Sequence, residues 1–156
     1  MIATAGSAVT ETRRSGVSAQ GVVALDAWVE SVGRRWGRSE RTVFAARLCI
    51  AELAGNVVEH GGATSAEDHI IVTLHCRSNG IGIEFLDTGA PFDPTGSAVV
   101  AKSAAKSGAK SAAQPAPSGS ATEGGRGLML VRAYAKNLSY RRDGLYNRIE
   151  MTVAPD

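Results

Sequence analysis

The sequence predicts an α+β fold: a two-layer sandwich with helices on one face of a mixed, mainly antiparallel sheet. Three observations carry that expectation. Two consecutive segments have helical apolar spacing, two pairs of alternating segments each bracket a turn-type sequence, and helices and strands are largely segregated along the chain. The 156 residues suit one domain with a sizeable core and leave no room for a second full domain.

Taken in order, residues 1–19 form a small, polar N-terminal segment, with a short strand placed around Ser7–Arg13 from Val9, Thr10 and Thr12. From Gln20 to Trp36, the residues Leu25, Trp28, Val29, Val32 and Trp36 recur at offsets of three and four, opposite Asp26, Glu30, Arg34 and Arg35. That is one amphipathic helix, ended by Gly37. A second helix starts at about Ser39, whose hydroxyl suits an N-cap, and runs to about His60, where Gly61–Gly62 stops it. His69–Arg77 and Gly80–Asp87 alternate apolar and polar around Ser78–Asn79–Gly80, so they read as an antiparallel hairpin. Composition breaks at Pro94. Through Thr122 the chain is mostly Ala, Ser, Gly, Lys and Pro without an aromatic, which cannot supply core. Beyond it, Gly127–Lys136 has helical spacing, and Leu138–Arg142 and Leu145–Val153 flank Asp143–Gly144 as a second hairpin.

Composition narrows the function classes. An apolar share of 44% and a charged share of 21% are those of a soluble globular protein, and no apolar run approaches a membrane span. The first twenty residues lack a basic start followed by an apolar stretch, so no export signal is read. Cys49 and Cys76 fit a reducing compartment better than a disulfide framework, and the cytoplasm is the expected location. A net charge of +2 with scattered arginines gives little support to direct nucleic-acid binding. His69 and His75 lack the neighbours of a zinc site and read as surface or packing residues. Arg34, Arg35, Arg38 and Arg41 form either a docking patch for an acidic partner or a solvated basic corner.

Three polar features remain. On the second helix, Glu52, Asn56 and His60 fall within roughly 80° of one another, with Glu59 in the same arc. Val43, Ala46, Ile50, Leu53 and Val57 lie opposite. Such a stripe is either a solvated face or a set of groups that needs partners. The second feature is Asp87–Thr88–Gly89–Ala90–Pro91–Phe92–Asp93–Pro94, an acidic strand end followed by a glycine turn. The third is Glu123–Gly124–Gly125–Arg126–Gly127–Leu128, glycines opening into a helix. Free N–H groups there suit a phosphate, and ordinary helix-start glycines would look the same. No Gly-Lys-Ser/Thr follows, so this is not a Walker loop.

Taken together, Glu52-x-x-x-Asn56-x-x-x-His60, Asp87-x-Gly89-x-Pro91 and Gly125-x-Gly127-Leu128 resemble, in order and spacing, the three boxes of the superfamily that contains gyrase, histidine kinases and mismatch-repair ATPases. Within this Bergerat-fold, histidine-kinase-like ATPase superfamily, the short chain, the Asp-x-Gly-x-Pro-Phe-Asp-Pro run and Gly-Gly-Arg-Gly-Leu resemble the anti-sigma-factor serine kinases. The resemblance implies an ATP-binding domain over residues 20–153 with 94–123 as a flexible ATP lid. It implies that Asn56 holds Mg²⁺ beside the ATP phosphates, that Glu52 is the general base and that His60 belongs to the cofactor-binding set. It further implies that Asp87 accepts from the adenine amino group, that Gly89 leaves room for the base, and that Gly125, Arg126, Gly127 and Leu128 line the phosphate end.

The function so implied is an ATP-dependent protein-serine/threonine kinase acting as an anti-sigma factor. Its partners would be a sigma factor and a phospho-accepting antagonist protein, with a homodimer also admitted. The alternative is a non-catalytic ATP-binding module that sequesters a partner. A detached histidine-kinase catalytic half is disfavoured, because no helix pair with a phospho-acceptor His precedes the domain. Two departures from the pattern stand out. In 94–122, Ala-Lys-Ser repeats place Lys102, Lys106 and Lys110 along one side of any helix formed there, or else the stretch is a solvated tether. Tyr146–Asn147–Arg148 stands where a Gly-Thr-type strand start is usual, a difference expected to concern fold detail and not chemistry.

Overall fold

The computed structural model describes residues 8–63, 65–95 and 123–154. The expectations for the lid stretch 96–122, including Lys102, Lys106 and Lys110, lie outside the described residues. The elements are β1 (Thr10–Gly16), α1 (Ala19–Arg35), α2 (Glu40–His60), β2 (His69–Arg77), β3 (Gly80–Asp87), α3 (Glu123–Tyr134), β4 (Ala135–Asp143) and β5 (Tyr146–Val153). The strands form one sheet in the order β1-β2-β3-β5-β4. Every pairing among the described residues is antiparallel, so the expected mixed component is absent there. The reason is connectivity. Tight turns join β2 to β3 and β4 to β5, and a tight turn can only join antiparallel neighbours.

Helix boundaries follow local chemistry. The Ser18 hydroxyl accepts from the Gly21 N–H at 3.0 Å and caps α1. Ser39 accepts from the Thr42 N–H at 3.2 Å and caps α2. Each cap satisfies a donor that the first turn leaves without an intrahelical partner. Arg47 cross-links the two helices, with Nε and Nη2 on the Asp26 carboxylate at 2.9 and 2.7 Å and Nη1 3.3 Å from Glu30.

The core is a single layer between helices and sheet. Leu25, Val29 and Val32 of α1 meet Ala46, Cys49, Ile50, Leu53 and Val57 of α2, and Leu128 and Val131 of α3. From the sheet come Ile70, Val72 and Leu74, then Ile81, Ile83 and Phe85, then Ile149, Met151 and Val153. These alternate with half-buried Ile71, Thr73, His75, Glu84 and Arg148, the period of two that one covered sheet face imposes. No helix among the described residues is long and apolar enough to cross a membrane.

Three elements start elsewhere than the sequence predicts: β1, α3, and β4, which begins at Ala135 and not at Leu138. Strand β1 is displaced to Thr10–Gly16 because its register is set by β2, with Thr10 opposite His75 and Gly16 opposite His69. Helix α3 begins at Glu123 and ends at Tyr134, so its glycines lie inside the helix and not ahead of it. Burial of Leu128 and Val131 outweighs the cost of roughly 1 kcal/mol per helical glycine. At the other end, pairing of Ala135 with Val153 draws the chain into β4.

Candidate nucleotide site

The same alternation that builds the core places two polar groups on its inner face. Counting by twos from Ile81 through Ile83 and Phe85 reaches Asp87. Counting back from Val153 through Met151 and Ile149 reaches Asn147. The two are direct cross-strand partners at one end of the sheet, 4% and 2% exposed. A carboxylate and an amide on a core face need bonding partners. Asp87 Oδ1 accepts from the Gly89 N–H at 2.8 Å and from Asn147 Nδ2 at 3.0 Å. Burial raises the Asp87 carboxyl above its ordinary value, opposed by the bonds from Asn147 and Gly89 and by the positive charge of Arg142.

Asn147 is the hub of this end of the sheet. Its Nδ2 also donates to the carbonyls of Ala90 at 2.8 Å and Gly89 at 3.4 Å. Its Oδ1 accepts from the Phe92 N–H at 3.2 Å, the Tyr140 hydroxyl at 2.8 Å and Arg142 Nη1 at 3.2 Å. Arg142 Nη1 donates as well to the Gly89 carbonyl at 2.8 Å. The expectation that Asn147 concerns fold detail alone is therefore corrected, because it holds the Asp87 carboxylate and the turn after it. Its signal was available in the sequence as a polar residue at a core position of β5.

The turn from Asp87 is tied to α2 as well. The Ala90 N–H donates to the Gly61 carbonyl at 3.1 Å, and a Cβ on Gly89 would lie 3.2 Å from Gly61 Cα and carbonyl oxygen. A side chain at position 89 would crowd the Gly61 backbone and stand 2.8 Å from Asp87 Oδ1, which accounts for the glycine. Further on, Arg132 of α3 donates from Nε and Nη2 to the Pro94 carbonyl at 3.0 and 2.7 Å. Both ends of Asp87–Pro94 are thus pinned to helices.

On α2 itself, the expected stripe divides. Glu52 and Asn56 are half-buried, whereas Glu59 and His60 are exposed, and His60 Nε2 lies 3.5 Å from the Glu59 carboxylate. The Glu52 carboxylate lies against Gly127 of α3, so closely that Gly127 has no room for a Cβ. Its negative charge also adds to burial in pushing the Cys49 thiol up to about 12. One turn along, Asn56 Nδ2 is buried without a hydrogen-bond partner among the described residues. A buried amide nitrogen left unpaired costs about 1–3 kcal/mol.

Helix α3 brings its first turn to this place. Gly125 lies in that turn, where N–H groups have no intrahelical acceptor, and Gly127 lies farther in, under Glu52. Arg126 is exposed, while the Leu128 side chain is 5% exposed and packs in the core, so Leu128 anchors the helix. The site so assembled has a buried acidic acceptor, a carboxylate and an unpaired amide on one helix, and a glycine-rich helix start.

Other side chains singled out in the sequence make contacts within the chain. Arg34 pairs with Glu30, Arg35 pairs with Glu11, and Arg38 donates to the Arg77 carbonyl at 3.1 Å. These three arginines therefore serve intrachain contacts. His69 Nε2 meets the Tyr146 hydroxyl at 2.9 Å, and among the described residues no three metal-ligating side chains come together.

This arrangement defines a class. The chain belongs to the histidine kinase-like ATPase domain family, whose model matches residues 18–153. It is similar to the serine/threonine-protein kinase BtrW of Bordetella bronchiseptica, with 30% identity over 148 residues, 94% of each chain. An ATP-using domain is what this membership defines.

Proposed function

We propose that this protein is an ATP-dependent protein-serine/threonine kinase that acts as an anti-sigma factor. In this reading it holds a sigma factor and phosphorylates an antagonist protein, in the cytoplasm. The observation that carries the catalytic part is Glu52. Its carboxylate is wedged against the start of α3 by a residue without a side chain, one helical turn from an unpaired Asn56 amide. A carboxylate so placed can take the proton of a serine or threonine hydroxyl as the terminal phosphoryl group is transferred.

The remaining residues bind and orient. Asp87 accepts the adenine amino group on the oxygen that no described residue occupies, and Gly89 keeps the turn close enough for the base to lie flat. The N–H groups around Gly125 receive phosphate oxygens, with the exposed Arg126 guanidinium beside them. The orphaned Asn56 amide fits a ligand, since it can turn its oxygen to a cation or its N–H to a phosphate. Mg²⁺ held by Asn56 and the phosphates would neutralise charge on the transferred group. His60 lies at the exposed end of the stripe and takes no assigned bond in this scheme.

The test is incubation of the purified protein with labelled ATP and Mg²⁺ and candidate antagonist proteins. Phosphoserine or phosphothreonine on one antagonist is expected. Binding of ATP and of a sigma factor without transfer to any antagonist would replace the kinase with a nucleotide-dependent binding module.

A further inference from the structure

Large apolar side chains scattered singly on a surface need no explanation, but a gathering of them does. Phe44 of α2 and Met129, Leu130 and Tyr134 of α3 are all exposed. The two helices are antiparallel neighbours, because Glu52 meets Gly127 near one end and Phe44 meets Tyr134 near the other. The Phe44 and Tyr134 rings pack edge to face with centroids 6.3 Å apart. Half-buried Leu48 lies one turn from both Phe44 and Glu52 on α2, and Leu130 lies one turn from both Gly127 and Tyr134 on α3. An apolar strip therefore runs from the aromatic pair to the Glu52 carboxylate. At about 1.5 Å per helical residue, Phe44 stands about 12 Å from Glu52 along α2. The flanks of the strip are basic. A cleft beside Phe44 is lined by Arg34, Arg38 and Arg47 together with Glu30 and Glu40, while Arg41 is exposed one turn before Phe44 and Arg126 one turn before Leu130. Those five arginines, set against Glu30, Glu40 and the Asp26 that holds Arg47, leave a net charge of +2.

We propose that this strip is the docking surface for the phospho-acceptor protein, and that the acceptor meets it with an acidic face carrying a large apolar side chain about 12 Å from the hydroxyl it offers to Glu52. This rests on the kinase reading above. Distance and charge choose that occupant. An interface of ordinary size covers about 800 Å² on each partner, a disc about 16 Å in radius, so an acceptor centred on Glu52 also covers Phe44. A partner that is only held has no need to approach Glu52. The basic flanks favour an acidic face and disfavour a second copy of this same surface, which would bring like charges together. Aromatic side chains, methionine and arginine are also the residue types that protein contacts favour over the rest of a surface.

The experiment takes the antagonist protein that accepts phosphate from the wild type and measures its KM, the kcat and the KM for ATP. Wild type, Phe44→Ala, Phe44→Leu and Val23→Ala are compared, with a thermal melt on each. Phe44→Ala raises the acceptor KM by about tenfold, the effect of truncating an aromatic anchor, and leaves kcat and the KM for ATP within about twofold. Phe44→Leu keeps an apolar side chain and recovers most of that loss. Val23→Ala, at an exposed apolar position of α1, leaves the acceptor KM unchanged. An unchanged acceptor KM in Phe44→Ala overturns the proposal and leaves the kinase standing. So does a fall in sigma-factor affinity or loss of a dimer without a rise in that KM, which gives the strip to another occupant. Transfer by wild type to no antagonist overturns the kinase reading and the docking surface with it. Should Phe44→Ala lower the melting temperature, Met129→Ser, at a position 68% exposed, is measured in its place, and the acceptor KM decides in the same way.

Discussion

Gly127→Ala separates stability from catalysis at a single atom. Replacing a helical glycine by alanine ordinarily stabilises by about 0.4–1 kcal/mol, because the unfolded chain loses freedom. Here the new Cβ would stand 2.9 Å from Glu52 Cδ and closer still to its Oε2, with no other group nearer than Glu52 Cγ at 3.5 Å. Ordinary carbon contacts are about 3.5–4.0 Å, so the carboxylate must withdraw by about 1 Å. The obstacle is the far end of a flexible, half-buried side chain, which yields without opening the core. The melting temperature is therefore expected to hold or rise slightly. Phosphotransfer is expected to fall by about 10²-fold, the effect of misplacing a reacting group by about 1 Å, with ATP affinity retained. Calorimetric melting and labelled-phosphate incorporation on one preparation test both halves. Unchanged transfer would refute the idea that the position of Glu52 matters. A loss of more than about 2 kcal/mol would refute the idea that only its carboxylate must move.

Asp87→Asn should weaken ATP binding by about 1–3 kcal/mol in a calorimetric titration, because an ionised acceptor is lost. The pH dependence follows from the raised Asp87 carboxyl. An acid whose folded pKa exceeds its unfolded value binds its proton more tightly when folded, so it weakens the fold at neutral pH and returns that stability as pH falls through the raised value. Comparing wild-type and Asp87→Asn melts from neutral to mildly acidic pH should show the wild type gaining on the variant over that window, while its ATP affinity declines. Phe85→Ala, at a fully buried position, should cost about 3–5 kcal/mol by denaturant unfolding. Arg47→Ala should cost no more than about 1 kcal/mol, since the Arg47 and Asp26 side chains are each about one-third exposed.

Legibility in the sequence tracked how local the deciding physics is. The hairpin strands His69–Arg77 and Gly80–Asp87 were readable because alternation and turn chemistry act within a few residues. Ser39 marked the start of α2 for the same reason. The start of α3 was not readable, because three glycines argue locally against a helix that only core contacts of Leu128 and Val131 sustain. The displacement of β1 likewise depended on a register set by a partner almost sixty residues away. At the site, Glu52, Asn56 and Asp87 stood out by residue type and spacing. Asn147 was visible only as a polar residue at a core position of β5, and its weight comes from contacts with Asp87, Ala90, Tyr140 and Arg142 that no spacing rule brings together.

The central claim is that neighbours on one helix face do different work: Glu52 accepts a proton, and Asn56 holds the metal-bound phosphates. The measurement that tests it most directly is phosphate transfer to a purified antagonist beside Mg²⁺-dependent ATP affinity, for wild type, Glu52→Gln and Asn56→Ala. Glu52→Gln keeps size and polarity and removes the base, so affinity should survive while transfer falls by roughly 10²–10⁴-fold. Asn56→Ala should lose both together. Full transfer by Glu52→Gln, or Mg²⁺-dependent ATP binding undiminished in Asn56→Ala, would contradict the account.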